Sequence, residues 1–192
     1  ISLKQNIFNK LQIPITTKVL LYAPTFRKGD NLEYYNIQYS QLVQSLQKYK
    51  EGEWLILVRL HPHLRNLSQS LLKDEPNVLD VTEYDDIQEL LYIADMVISD
   101  YSSLIFDFAM TLRPCLLYVP DLEEYTSKDR SLYFNIKELP FPISLSNQEL
   151  LEQIESININ QYQEQVNHFL GSIGSYESGH ACENICKHLN NL

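Results

Sequence analysis

Short, uninterrupted apolar runs alternate along this chain with longer segments of helical spacing, and that alternation restricts the folds open to it more than any other feature. The runs are Lys18–Tyr22, 54–60, Val78–Asp80, Met96–Ser99 and Cys115–Tyr118. Each is apolar without alternation, as expected of strands covered on both faces. Between them, Tyr39–Tyr49, 64–73, 86–94 and 103–111 carry helix-like spacing, and the tail from Asn147 onward reads as mainly helical. Such a βα order predicts an α/β fold, a mostly parallel sheet with helices on both faces. Sheets of this kind bind ligands beyond the carboxyl ends of their strands, so function is sought in the residues that follow each strand. The chain shows no internal repeat and no long linker, and the charged, polar stretch 121–130 reads as a mobile loop.

At 192 residues the chain is long enough for one domain with a real core, and residues 1–192 are read as a single unit. Lys and Arg number 15 against 25 Asp and Glu, a formal charge of -10. This balance argues against a broad nucleic-acid or anionic-lipid footprint, so an anionic ligand must be held by a local pocket. Cys115 lies in an apolar run, while Cys182 and Cys186 are one helical turn apart. That is no disulfide framework, and a reducing cytoplasm is the simpler setting. No apolar stretch approaches the roughly 20 residues of a membrane span, and no signal-peptide pattern opens the chain. The opening ISLKQNIFNKLQIP reads as a helix already inside a fold, without an initiator Met, so a piece of a longer protein is expected.

Four post-strand segments stand out: APTFRKGD, RLHPHLR, SDYSS and PDLEEYTSKDRS. They are rich in hydroxyls, imidazole or guanidinium and are expected to line one crevice. After SDYSS, Leu104, Ile105, Phe108, Ala109 and Leu112 share one helical face, so a helix starts near Ser102. A single Ser or Asp there satisfies the orphan amides. The surplus hydroxyls are either a plain capped turn or, beside free N–H groups, a seat for phosphate. His61 and His63 flank Pro62. As metal ligands they need partners, and no nearby Cys or carboxylate cluster has ligand spacing, so no metal and no cofactor is expected. His61 either caps and packs or serves a phosphate or a proton near neutral pH, and His63 is read as packing. In DVTEYDD, Tyr84 either stacks on a nucleobase, with the backbone near Val81 reading its edge, or staples the next helix while Asp85 or Asp86 caps it.

The segments LLYAPTFR, RLHPHL, YDDIQELLYIADMVISDYSSLIFDFA, RPCLLYVPDLEEY and YESGHACENI together resemble, in order and spacing, the CDP-glycerol glycerophosphotransferase family of teichoic acid polymerases and primases. The resemblance runs from about Lys18 to the last helix. It implies a Rossmann-like domain similar to the carboxyl-terminal, nucleotide-binding half of a GT-B glycosyltransferase. The amino-terminal half would bring the acceptor site, one catalytic His and the membrane-contacting helices. The implied reaction transfers glycerol phosphate from CDP-glycerol, or ribitol phosphate from CDP-ribitol, to a hydroxyl of a growing wall or capsular polymer and releases CMP. It would run in the cytoplasm at the inner membrane face, with no nucleic-acid partner.

Carried over residue by residue, the HP histidine falls on His61, assigned to the pyrophosphate or the leaving group. The DYSS hydroxyls fall on Ser102 and Ser103, with Asp100 in the same turn. The APTFR segment places Thr25 and Arg27 at the crevice rim, and the family's loop arginine matches Arg130. Arginine's fixed fork suits phosphate oxygens. Two departures bear on this assignment. DRSLYFN puts Ser131 where the family has glycine, and SGHAC puts His180 where a lysine and Cys182 where a serine is usual. A neutral His supplies less charge than Lys, so 179–182 reads more simply as a helix start that packs the tail. Two rival functions remain open: another GT-B sugar-nucleotide transferase or epimerase, which more often has Gly-rich phosphate loops, or a noncatalytic nucleotide-binding module. The chain has only five Gly and none near Ser102.

Overall fold

The apolar runs pair as parallel strands in one six-stranded sheet of order β3-β2-β1-β4-β5-β6. The strands are β1 (Lys18–Tyr22), β2 (Trp54–Val58), β3 (Val78–Asp80), β4 (Met96–Ser99), β5 (Cys115–Tyr118) and β6 (Ile143–Ser144). This is seen in a computed structural model that describes residues 2–27, 32–65, 68, 72, 75–128, 133–175 and 177–190. Around the sheet lie α1 (Leu3–Leu11), α2 (Tyr39–Tyr49), α3 (Ile87–Ile93), α4 (Leu104–Ala109), α5 (Leu122–Lys128), α6 (Asn147–Ser156), α7 (Ile159–Ser172) and α8 (Ala181–Asn190). The order reverses direction between β1 and β4, the two first strands of successive βαβ halves, and a crevice opens at that point beyond the strand ends.

The two faces of the sheet follow from the two-residue period of a strand. Val19, Leu21, Leu57, Val97, Cys115 and Leu117 point to one face, where they meet α1, α3, α4 and α7 through Phe8, Leu90, Phe108 and Val166. The residues between them, Leu20, Tyr22, Ile56, Val58, Met96, Ile98, Leu116 and Tyr118, point to the other and meet α2 and α6 through Leu42, Leu46, Leu150 and Ile154. With cover on both sides there is no polar face to produce alternation.

Several boundaries differ from the sequence expectation for identifiable reasons. The second strand ends at Val58, not at residue 60. The Leu60 amide is taken by the Thr82 hydroxyl at 3.1 Å and the chain then turns at Pro62. Helix α4 stops at Ala109, short of residue 111, as Leu112 adopts a left-handed φ of 55°. The stretch 121–130, expected as a loop, contains α5. Its first turn carries Glu123 and Glu124, favourable at a helix amino terminus, while its apolar side is reduced to Leu122 and the buried Tyr125. Strand β6 is two residues long and was not foreseen. The expected helix 64–73 falls largely outside the described residues. Helix α8 begins at Ala181, and no residue along it is buried, so it does not pack the tail as expected.

The end of β4 is bound to the end of β1 by Ser99, fully buried, whose hydroxyl donates to the Ala23 carbonyl at 2.7 Å. Ser99→Ala leaves that carbonyl without its partner and is expected to cost about 1–3 kcal/mol in denaturant unfolding.

Candidate functional site

A crevice of about 750 Å³ opens beyond the carboxyl ends of the strands at the β1–β4 switch point. Thr25, Arg59, His61, Ser102 and Ser103 line it, with Tyr125 from the segment after β5. All four post-strand segments therefore reach one cavity. Among the described residues, no Asp or Glu lines it.

Beneath this lining, Arg27 organises the strand ends. Its side chain is 4% exposed. Nη1 donates to Asp100 at 2.8 Å, and Nε and Nη2 donate to Asp121 at 2.6 and 3.2 Å. Nη1 also donates to the Thr25 carbonyl and hydroxyl. The guanidinium lies 4.9 Å from the Tyr101 ring and 5.0 Å from the Tyr125 ring, and those rings stack at 3.7 Å. Burial opposes the charge on Arg27, but Asp121 and Asp100 outweigh it and hold the group protonated beyond its usual range. The fork is thus spent on two carboxylates, and the expectation that Arg27 binds phosphate at the crevice rim is corrected.

Asp100 is corrected likewise. Its side chain is 2% exposed and accepts from the Thr25 amide at 2.9 Å, the Tyr101 amide at 2.6 Å and Arg27. Burial is the largest influence and raises its carboxyl above the ordinary range, against the downward pull of Arg27 and of the Thr25 amide. A carboxylate so engaged shapes the turn without touching an anion in the crevice.

The four polar residues of SDYSS therefore have separate duties. Ser99 ties two strands, Asp100 anchors Arg27, and Ser102 and Ser103 face the crevice. Ser103 stands at the start of α4 without a capping hydrogen bond. Ser102 Oγ accepts from the Leu104 amide only at 3.4 Å, the outer limit of such a bond. The Thr25 hydroxyl accepts from Arg27 and its side chain also hydrogen-bonds the Asp100 carboxylate.

His61 precedes Pro62, so its backbone is held extended, at φ −65° and ψ 142°. The ring lies 5.2 Å from Phe26 and 4.8 Å from His63. Nδ1 accepts the His63 amide at 3.3 Å, so the neutral ring carries its proton on Nε2. Partial burial, then His63 and Arg59, hold its imidazole below the ordinary 6.5. His63 lies 5.7 Å from Phe26 and, exposed, also lines the crevice, beyond the packing role expected of it.

Tyr84 is not in the crevice lining. Its hydroxyl donates to Glu89 and its ring sits 5.8 Å from Lys10 Nζ, while Asp86, through Oδ1, caps α3. The base-stacking expectation gives way to the packing alternative. Arg130 and Ser131 lie outside the described residues. Near the tail, His180 Nδ1 is 3.4 Å from Glu183. No group of three or more His, Cys, Asp or Glu among the described residues is placed to hold a metal ion. Sequence reasoning missed Asp121, Tyr101 and Tyr125 as organisers and Arg59 in the lining. Arg59 was signalled only as the first residue of the RLHPHLR segment expected to reach the crevice.

Arg27→Met is expected to lower stability by about 3–5 kcal/mol, since it strands two buried carboxylates, and urea unfolding measures it. His61 in the free chain is expected to titrate below 6.5 by NMR. With its folded value below its unfolded one, its contribution to stability is present above that range and is lost as pH falls through the folded value.

The sequence profile of the family described as CDP-Glycerol:Poly(glycerophosphate) glycerophosphotransferase matches residues 2–191. A teichoic acid glycerol-phosphate transferase of Staphylococcus aureus is 32% identical over 188 residues, 94% of this chain and 47% of that protein. The chain thus spans about half the length of that relative. A wall teichoic acid polymerase TagF, in an asparagine-for-histidine variant soaked with CDPG, superimposes with a TM-score of 0.73 at 29% identity over 98% of this chain and 45% of TagF. A UDP-GlcNAc 2-epimerase from Neisseria meningitidis bound to UDP-GlcNAc shares the fold at TM-score 0.59 and 20% identity, over 98% of this chain and 49% of its own. With its Rossmann-like parallel sheet and the profile match over nearly its whole length, the chain belongs to the CDP-glycerol:poly(glycerophosphate) glycerophosphotransferase family.

Proposed function

We propose that this chain is the donor-binding half of a CDP-glycerol-dependent glycerophosphotransferase, an enzyme that moves glycerol phosphate onto the hydroxyl of a growing teichoic-acid-like polymer and releases CMP. One observation carries the reading: in a family member, the hydroxyls of Thr25, Ser102 and Ser103 and the His61 imidazole share a crevice at the strand ends that no Asp or Glu among the described residues lines. Hydroxyl protons and an Nε2–H are what a pyrophosphate's oxygens accept, and an acidic lining would repel them.

In the proposed step the acceptor hydroxyl attacks the phosphorus that bears glycerol. A new P–O bond forms, the bond to the bridging oxygen breaks, and the electron pair leaves with CMP. Such transfers depend on positioning and on stabilising the charge that builds up on the leaving group. Ser102, Ser103 and Thr25 hold the nonbridging oxygens. His61, with its proton on Nε2, serves the departing CMP, and a seated anion raises its affinity for a second proton. The acceptor site, the group that removes the acceptor's proton and any membrane contact are assigned to the other half of the enzyme. No helix among the described residues is long and apolar enough to cross a membrane.

Calorimetric titration with CDP-glycerol, CDP-ribitol and a UDP-sugar tests the reading, and a preference for the UDP-sugar would overturn it. Ser102→Ala and Ser103→Ala are each expected to weaken CDP-glycerol binding by about 1 kcal/mol or more, as for a hydrogen bond to a charged group. Melting of the free chain should change little, since neither hydroxyl makes a good cap. In the two-half enzyme His61→Ala should lower turnover far more than donor affinity, because it acts on the transition state. Parental turnover in that variant would make His61 structural.

A further inference from the structure

We infer that Arg59 is the cation that grips the donor's pyrophosphate in the crevice, in the role the sequence suggests for Arg27. The inference rests on the reading of the crevice as the donor site and adds to it a positive charge from among the described residues. Arg27 is shared between two carboxylates, so the cluster of Arg27, Asp100 and Asp121 carries one positive and two negative groups and has nothing left to offer an anion.

Arg59 is placed otherwise. It is the first residue beyond β2, and its amide still donates to the Tyr22 carbonyl at 2.9 Å, which fixes its Cα beside the end of β1. The half-buried side chain lines the crevice with His61, Ser102 and Ser103. Nη2 donates to the Tyr84 carbonyl at 3.2 Å, which steadies the guanidinium from the rear. Its Nε is buried without a hydrogen-bond partner. No carboxylate forms an ion pair with it among the described residues. A guanidinium presents five donors in a planar fork, and desolvating them without acceptors is unfavourable unless a ligand completes the set. Among the described residues the lining has Arg59 and the two histidines as its basic groups and no acid, within a chain of net charge -10. A doubly charged pyrophosphate fits this arrangement: the fork takes two oxygens while the hydroxyls opposite take others.

The test is calorimetry of this chain and of its Arg59→Gln and Arg59→Lys variants with CDP-glycerol and with inorganic pyrophosphate, beside the melting temperature of each. Arg59→Gln is expected to weaken both ligands about tenfold or more, since a charge-assisted bidentate contact is lost. Arg59→Lys should recover part of the loss as a point charge, and melting should stay near the parental value. Parental affinity in Arg59→Gln would overturn the inference while leaving the donor reading standing. Pyrophosphate binding that depends on Arg59, with no binding of CDP-glycerol, would instead keep the anion seat and overturn the donor reading. A loss of affinity that tracks a fall in melting temperature in both variants would make Arg59 a structural tie to Tyr84. Should Arg59→Gln not fold, the lysine variant decides: weaker binding at parental stability supports the inference, and parental affinity overturns it.

Discussion

Arg27, held between Asp100 and Asp121, is the interaction on which the ligand end of this fold depends. Each of the three residues comes from a different post-strand loop, after β1, β4 and β5, and nothing in the sheet's own ladder joins those loops. The guanidinium does so with a planar set of donors, closed by the stacked rings of Tyr101 and Tyr125. A buried ion pair of this kind contributes little net stability over an apolar substitute, because desolvation offsets most of the attraction. Its value lies in geometry: without Arg27 two buried carboxylates are left uncompensated, so the loops are held to one arrangement.

That arrangement separates scaffold charges from ligand-facing groups. The carboxylates are turned inward onto Arg27, and the residues left to line the crevice are hydroxyls, imidazoles and Arg59. A strongly acidic chain can therefore present a surface suited to an anion without reversing its overall charge, because short-range contacts in a partly desolvated crevice outweigh a distant, screened excess of negative charge.

Much of the fold could be read from the chain. Continuous apolar runs located five of six strands, and helical spacing located α2, α3 and α4 to within a few residues. The misses share a cause. β6 has two residues between Pro142 and a helix cap, too few for any pattern. α5 shows solvent a polar face and buries mainly Tyr125, so its sequence looks like a loop. Ser102, Ser103, Thr25 and His61 do line one crevice, and they drew notice in the sequence because small polar residues after strands have few structural reasons to be there. Tyr84 was misplaced because a tyrosine's ring and hydroxyl suit a helix staple and a base equally well until Glu89 is seen to hold the hydroxyl.

What the amino-acid sequence alone determined was the class of fold, the strand ends where the polar segments gather and the family whose motifs the chain carries, because each depends on local periodicity or on linear order. What only the tertiary structure decided was which arginine is free. Arg27 and Arg59 look alike in sequence, each lying in one of the polar segments expected to line the crevice. Their difference lies in partners 73 and 94 positions away for Arg27, against a single backbone carbonyl 25 positions away for Arg59. Whether a charge is neutralised depends on contacts a few ångströms long between segments distant in the chain, and no local pattern records them.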